Sequence, residues 1–321
     1  MEWLLEGPLP IDDICKLIFN YIPKFTGTTN KVYTHVNARV GLLATVSDTL
    51  VAYKLMYDNC VYVWDVSTGR RTALLRVRDE IITILATPQV DVIVGTKQHF
   101  FMIRPTNLHD NQVLRPQYKL YHALDPVVHF QLYFKAFYTL RAFITLTSGT
   151  VVAIADNYVE SHMLFVNLYN QTEWHVALPY DVTCLVALPD NQLASGNIKG
   201  DVHIWNADGV CMQQLLTCGS IIRELAWNVD MLAVCTNTHV EKYRHGVKVS
   251  SIAHDYQRPD NIPFPSGFAM LEDYTIVMTV RGHISAWNGP EMMVTAMSPL
   301  VDFGHCRIVA VSPYAGFHII E

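Results

Sequence analysis

The sequence predicts an all-β propeller of about seven four-stranded blades, preceded by one short α-helix. Three observations predict it. A turn, an alternating strand and a closing tryptophan recur at near-regular spacing. Short β-runs separated by turn residues fill the chain from about residue 31 onward. Apolar residues at helical spacing are confined to residues 8–23.

The helix comes first in the chain. Residues 8–23 place Ile11, Ile14, Leu17, Ile18, Tyr21 and Ile22 at the i, i+3, i+4, i+7 spacing of an amphipathic helix. Pro10 suits its first turn, Asp12 and Asp13 suit its positive end, and Pro23 stops it. Thr26–Asn30 then reads as a polar linker, which divides the chain into a helical segment, 1–28, and a β domain, 29–321.

Strands follow at Leu42–Val46, Val61–Trp64, Ile81–Leu85, Val90–Val94, Ala142–Leu146, Thr150–Ile154, Val182–Ala187, Val202–Trp205 and Thr275–Val280. Their density suits a sandwich, a barrel or a propeller, and the repeats decide. Asn59-Cys-Val-Tyr-Val-Trp64-Asp65, Gly200-Asp-Val-His-Ile-Trp205-Asn206 and Gly282-His-Ile-Ser-Ala-Trp287-Asn288 are three versions of one pattern. Trp64 and Trp205 stand 141 residues apart, and Trp205 and Trp287 stand 82 apart. The shorter interval holds two units of about 41 residues, the length of a propeller blade. The longer one holds three, if one blade carries an insertion. Weaker echoes at His99–Ile103, Thr150–Ile154, Val240–Tyr243 and Gly316–Ile320 fill the gaps. The surplus length falls between residues 104 and 180, where Arg104–Leu124 and Asn157–Glu173 are expected as long outer loops. The last unit stops at its third strand, so Lys31–Val36 is expected to add the fourth and leave no open edge.

Composition narrows the function. Half of the 321 residues are hydrophobic, enough for a continuous core. Only 16% are charged, which leaves apolar and aromatic surface to meet either water or a partner. A deep core with ordinary faces accounts for the same figure. The net charge of −6 argues against nucleic acid as the main ligand. The densest basic cluster, Arg70, Arg71, Arg76 and Arg78, falls on a turn and an outer strand. Seven cysteines form no CxxC pair and mostly sit in apolar runs, as reduced thiols of a cytosolic protein do. Neither a signal peptide nor a membrane span is expected, so the protein is expected to be soluble and cytoplasmic.

Around Val61-Tyr-Val-Trp-Asp-Val-Ser-Thr-Gly-Arg70 and Leu193-Ala-Ser-Gly-Asn-Ile-Lys-Gly-Asp-Val-His-Ile-Trp205 the chain resembles the WD40-repeat family. The resemblance extends over roughly residues 31–321 and implies a seven-bladed propeller that holds protein partners. It is divergent: Lys199 stands where family blades carry an Asp in the tight turn, and Gly282-His283 lies out of place. The opening Leu9-Pro10 with its apolar helix resembles the start of an F-box, about a third of that module. This implies docking of Leu9, Pro10, Ile14, Leu17, Ile18 and Tyr21 on a Skp-type adaptor of a ubiquitin ligase. The same face could instead pack on the propeller's own side, because a lone three-turn helix needs tertiary cover. Truncated F-box and propeller proteins of large DNA viruses are similar, which would place the chain in host cytoplasm.

No catalytic spacing is present. Gly196-Asn-Ile-Lys-Gly200 is too short for a phosphate loop, and there is neither HExxH nor GxSxG. His203 and His283 read as strand histidines and not as metal ligands, and Cys211 and Cys218 flank one outer strand. No cofactor or metal is expected. In a propeller, loops entering each inner strand ring one mouth of the channel. Here they carry Glu80, Asp125, Tyr180, Asp181, Ser220, Arg223 and Asp302. Four of the seven are acidic, which suits a basic peptide or tail. An ordinary solvated rim, or a carboxylate pair for glycoside hydrolysis, is drawn from the same residues. The leading expectation is a non-catalytic interaction scaffold, followed by a ligase substrate receptor and then a propeller hydrolase.

Overall fold

The computed structural model describes residues 40–47, 49–105, 128–132, 138–157, 159–228, 230–253, 268–270, 276–280, 283–287, 294–295, 297–302, 308–311 and 317–320. The chain divides into two compact units, residues 41–257 and residues 1–40 with 258–321. Among the described residues no helix is long and apolar enough to cross a membrane. The expected helix at 8–23, the linker and the closing strand Lys31–Val36 lie outside the described residues.

In the larger unit the strands form five antiparallel sheets of four, each hydrogen-bonded in chain order. Sheet 1 holds β1 (Val40–Thr45), β2 (Leu50–Leu55), β3 (Cys60–Asp65) and β4 (Arg70–Arg76). Sheet 2 holds β5 (Ile81–Ala86), β6 (Val92–Thr96), β7 (His99–Ile103) and β8 (Val128–Gln131). Sheet 3 holds β9 (Thr139–Thr145), β10 (Thr150–Asp156), β11 (Ser161–Asn167) and β12 (Thr172–Leu178). Sheet 4 holds β13 (Val182–Ala187), β14 (Leu193–Asn197), β15 (Asp201–Trp205) and β16 (Cys211–Thr217). Sheet 5 holds β17 (Ile222–Asn228), β18 (Met231–Thr236), β19 (His239–Arg244) and β20 (Val247–Ala253). First strands lie side by side from sheet to sheet, β5 on β9, β9 on β13 and β13 on β17.

In the other unit, β21 (Phe268–Met270), β22 (Ile276–Val280), β23 (His283–Trp287) and β24 (Val294–Thr295) form a further sheet of four. β25 (Met297–Asp302), β26 (Ile308–Val311) and β27 (Phe317–Ile320) form, among the described residues, a sheet of three.

Three expectations need correction. Residues 157–173 do not form a long loop: Ser161–Asn167 is a full third strand, paired along its length with β10 and β12. Thr150–Ile154 accordingly belongs to a second strand, not to an echo of the tryptophan strand. The run Met163-Leu-Phe-Val166 is wholly buried, but it lacks the closing tryptophan that marks β3, β15 and β23. The second strand of sheet 2 also starts at Val92 and not at Val90. Val90 and Asp91 belong to the turn, where Val90 has φ of 67°.

Each core is a layer between consecutive sheets. Val61, Val63 and Leu74 of sheet 1 meet Ile84, Val92 and Ile103 of sheet 2. Phe100 and Met102 meet Val151 and Leu164 of sheet 3. Ile154 and Phe165 meet Val182 and Trp205 of sheet 4, and Val202 and Ile204 meet Leu225 and Val234 of sheet 5. Second strands are covered on both faces, which is why β6, β14 and β18 are buried at every residue and read as unbroken apolar or small runs. Glycine is required at two of these positions, Gly95 on β6 and Gly196 on β14. A Cβ on Gly196 would lie 2.5 Å from Ile222 Cγ2 and 2.9 Å from Cys184 Sγ, so only a hydrogen lets β17 close on β14.

Side-chain hydrogen bonds tie the layers together. Tyr169 of sheet 3 donates its hydroxyl to Asp91 of sheet 2 at 3.1 Å. Asp91 is fully buried and also takes two bonds from Arg104, at 2.9 and 3.2 Å. Thr183 donates to the Ile222 carbonyl of sheet 5 at 2.6 Å, and Arg141 donates to the Thr183 carbonyl at 3.4 Å. Asn191 accepts from Thr147 Oγ1 at 2.8 Å and from the Ser148 amide at 2.6 Å, joining sheets 4 and 3. Asn191 has φ of 58°, so Asn191→Gly removes the side chain and keeps the backbone at ease. We expect that change to cost about 1 kcal/mol in urea unfolding, the worth of the lost bonds, with Asn191→Ala costing more because alanine resists positive φ.

Candidate functional site

An antiparallel sheet of four strands in chain order has two ends. One carries the first-to-second and third-to-fourth turns. The other carries the second-to-third turn and the connection into the next sheet's first strand. Of the rim residues expected from the sequence, Glu80, Tyr180, Asp181 and Ser220 fall in those connections and Arg223 just inside β17, so these five share this second end with the second-to-third turns.

Each of these turns is fixed by a side chain near the end of the second strand. In sheet 4, Asn197 Oδ1 accepts the amides of Lys199 and Asp201, both at 2.9 Å. Asn197 is fully buried and does the work expected of the absent turn aspartate at 199. In sheets 2 and 5, Thr96 and Thr236 accept the amides of His99 and His239 at 3.0 Å each. In sheet 3, Asn157 Oδ1 accepts Val159 N at 2.7 Å and Glu160 N at 2.8 Å. In sheet 1, Tyr62 donates to Asp58 at 2.6 Å and Lys54 Nζ donates to the Met56 carbonyl at 3.3 Å. The capping residue was missed in the sequence because it lies on the strand, two positions before the place where the family aspartate was sought.

The turns present large apolar side chains to solvent. Tyr57 is 95% exposed, Val159 91% and Ile198 44%. Sequence reasoning passed over all three, because an exposed apolar side chain is visible only once the turn is built.

The expected rim residues stand as follows. Glu80 is exposed and lies 3.9 Å from Lys97 Nζ, and its neighbour Asp79 lies 3.6 Å from His99 Nδ1. Tyr180 is half-buried and stacks on His203, ring centroids 4.7 Å apart at 21°. Burial pushes the Tyr180 hydroxyl up to about 12, with Cys211 and Asp201 adding to the shift. Burial also lowers the pKa of His203, whose Nδ1 is buried with no hydrogen-bond partner among the described residues. Asp181 is exposed, and its carbonyl accepts the Ile198 amide at 3.2 Å, joining the connection to the turn. Ser220 sits against Gly200: a Cβ at this glycine, φ 92°, would lie 2.7 Å from the Ser220 carbonyl oxygen. Arg223 is half-buried and donates to Asn237 Oδ1 at 2.7 Å. Asp125 lies outside the described residues. Asp302, expected in a loop entering an inner strand, instead ends β25 in the other unit, its backbone paired with Ile308 at the first-to-second turn of its sheet.

Glu224, next to Arg223, was not anticipated. A register shift between Ile222 and Glu224 sets it opposite Cys235 on the inner strand. Burial pushes its carboxyl up to about 7. Cys184 and Cys235 are buried close enough that Glu224 adds to burial in raising their thiols, which keeps both protonated and unreactive. Among the described residues no group of three His, Cys, Asp or Glu side chains is placed to hold a metal ion.

No protein-family model and no curated protein matches the sequence. Among solved structures the chain is similar to the WD40 β-propeller domain of Doa1, with a TM-score of 0.64 at 11% identity over 90% of this chain and 95% of that one. It is similar to BBS1N, solved in complex with ARL6DN, with a TM-score of 0.60 at 11% identity over 91% and 94%. It is also similar to streptogramin B lyase, with a TM-score of 0.63 at 10% identity over 90% and 95%. At such identities the likeness shows the fold: this is an all-β propeller built from antiparallel sheets.

Proposed function

We propose that the chain is a non-catalytic protein-interaction scaffold of the WD40-like type, with the partner seated on the end that carries the second-to-third turns and the inter-sheet connections. The single observation that carries this reading is the set of exposed apolar side chains on hydrogen-bonded turns at that end. Apolar surface held out on fixed backbone gains by being covered and has little order left to lose when it is. The likeness to BBS1N, itself solved with a bound protein, supports the reading. The likeness to a lyase is one of fold, and fold does not transfer chemistry.

Two finer readings come with it. A basic peptide or tail is the occupant that the carboxylates of Glu80 and Asp181 would favour. A substrate receptor in an F-box type ubiquitin ligase is the role that Leu9-Pro10 and the apolar residues of 8–23 would favour, with 29–321 as the propeller. The scaffold reading is tested by affinity capture with the full chain. A variant carrying Tyr57→Ser, Glu80→Gln, Asp181→Asn and Ile198→Ser should lose partners that the outer-strand control Met212→Ser keeps. Capture unchanged by the first variant would end the assignment of this face. Loss of a Skp-type adaptor on Leu9→Asp with Ile14→Asp tests the ligase reading separately.

A further inference from the structure

Cations and carboxylates are unevenly matched in the larger unit. Lys97, Arg104, Arg141, Arg244 and Lys248 each have a carboxylate at ion-pair distance. Arg70, Arg71, Arg76 and Arg78, all exposed on or just after β4, have none among the described residues. The nearby carboxylates are committed elsewhere. Asp58 accepts from Tyr62, Asp65 Oδ1 takes the Ser67 hydroxyl with the Ser67 and Thr68 amides, and Asp79 and Glu80 lie against His99 and Lys97. Between residues 40 and 78 the chain holds five cations, Lys54 and these arginines, against Asp48, Asp58 and Asp65.

The pairing of β4 sets two of the four on one face. Arg71 lies opposite Trp64, and Arg76 lies opposite Cys60. Their partners are four positions apart and share a face of β3, whereas residues five apart on a regular strand point to opposite faces. The register shift between Val61 and Tyr62 leaves Leu74 as an extra residue, and this bulge brings Arg76 round to the side of Arg71. Burial raises the pKa of the Cys60 thiol and both Arg76 and Arg71 lower it, so the two guanidiniums bear on one spot.

On that face Arg71 is held in place. Its Cζ lies 3.8 Å from the centroid of the Tyr62 ring. That ring stacks on buried Tyr53, centroids 5.5 Å apart at 28°, and its hydroxyl donates to Asp58 at 2.6 Å. A guanidinium stacked by its face keeps its N–H edge for a carboxylate, which it can take with two parallel bonds. β4 is also the last strand of its sheet, so one side of its backbone is open to a further strand.

We propose that β4 is a second docking edge, for an extended acidic protein segment that lies along it and sets one carboxylate on Arg71 and another on Arg76. Four strand positions separate the two contacts, about 13 Å, so the segment carries acidic residues four apart on one face. The residue midway between them lies over Ala73, which pairs with Tyr62, and is small or apolar. This edge is independent of the turn face proposed above.

The test is fluorescence anisotropy of the full chain with a labelled Thr-Glu-Thr-Val-Thr-Glu-Thr peptide and its counterpart with Gln at both Glu positions. The Glu peptide should bind about tenfold tighter or more. Arg71→Ala with Arg76→Ala should remove that advantage, and Arg71→Lys, which keeps the charge without the flat fork, should lose most of it. Tyr57→Ser with Ile198→Ser should leave it unchanged. Equal binding of the two peptides, or an advantage that survives the double alanine variant, would overturn the proposal and leave the arginines as guards of an open edge. Full binding by Arg71→Lys would overturn the stacked guanidinium as the contact. An oligo-dT probe that binds tighter than the Glu peptide and is lost in the double alanine variant would assign the edge to a phosphate backbone and overturn it as well.

Discussion

Replacing Trp205 with alanine is expected to lower the unfolding free energy by about 3–5 kcal/mol, the usual cost of deleting a large aromatic side chain from a packed layer. Trp205 is buried among Ile154, Phe165 and Val182 of the layer between sheets 3 and 4. Its indole Nε1 donates to Ser195 Oγ at 2.8 Å on the adjoining strand. Two further variants separate packing from bonding. Trp205→Phe keeps most of the volume and leaves Ser195, a small hydroxyl, without its donor. Ser195→Ala keeps the packing and leaves a buried N–H unpaired, at a cost of about 1–3 kcal/mol. The readout is urea unfolding by circular dichroism, with hydrogen exchange to show the loss centred on sheets 3 and 4. A Trp205→Ala cost below about 1 kcal/mol would mean that this layer does not hold the sheets together.

The second large effect depends on pH. Glu224 is held near 7 by burial, against an ordinary glutamate value of 4.5. The folded chain therefore keeps a proton that the unfolded chain releases between these two values. Stability falls as pH rises through this window and is flat above it. The full shift would correspond to about 3 kcal/mol, and the partial exposure of the residue brings the expectation to about 2 kcal/mol. Glu224→Gln should thus stabilise the protein by that amount at pH 8 and leave it unchanged at pH 4.5. Equal effects at both pH values would show that the carboxyl ionises freely in the folded state.

The repeating unit was legible because its signals are local. The turn, the alternating strand and the closing tryptophan at Trp64 and Trp205 lie within a few residues of one another, and β3 and β15 follow them within a residue. Val182–Ala187 matches its strand end to end. The third strand of sheet 3 was not legible, because Ser161–Asn167 ends in Asn after Phe-Val and lacks the aromatic closure. Charge was the harder part. The sequence shows Glu80 and Asp181 as members of an acidic set, but Lys97 and Lys199 reach the same end only through the pairing of strands. Val159 was hidden in a stretch expected as a long outer loop, and nothing local to Tyr57 shows that its turn lifts it into solvent. Asn197 was hidden for a similar reason: its role depends on two amides that the chain brings back to it.

The caps on these turns have a consequence for how such a molecule can change. Asn197 sets the path of its hairpin from inside the strand, so the backbone does not depend on which side chain occupies 198. Asn157 does the same for 159. Contact residues can therefore be exchanged one at a time with little penalty to folding, while the anchoring positions stay fixed. Binding preference and architecture are written at separate addresses, and a lineage, or a designer, can rewrite the first without disturbing the second.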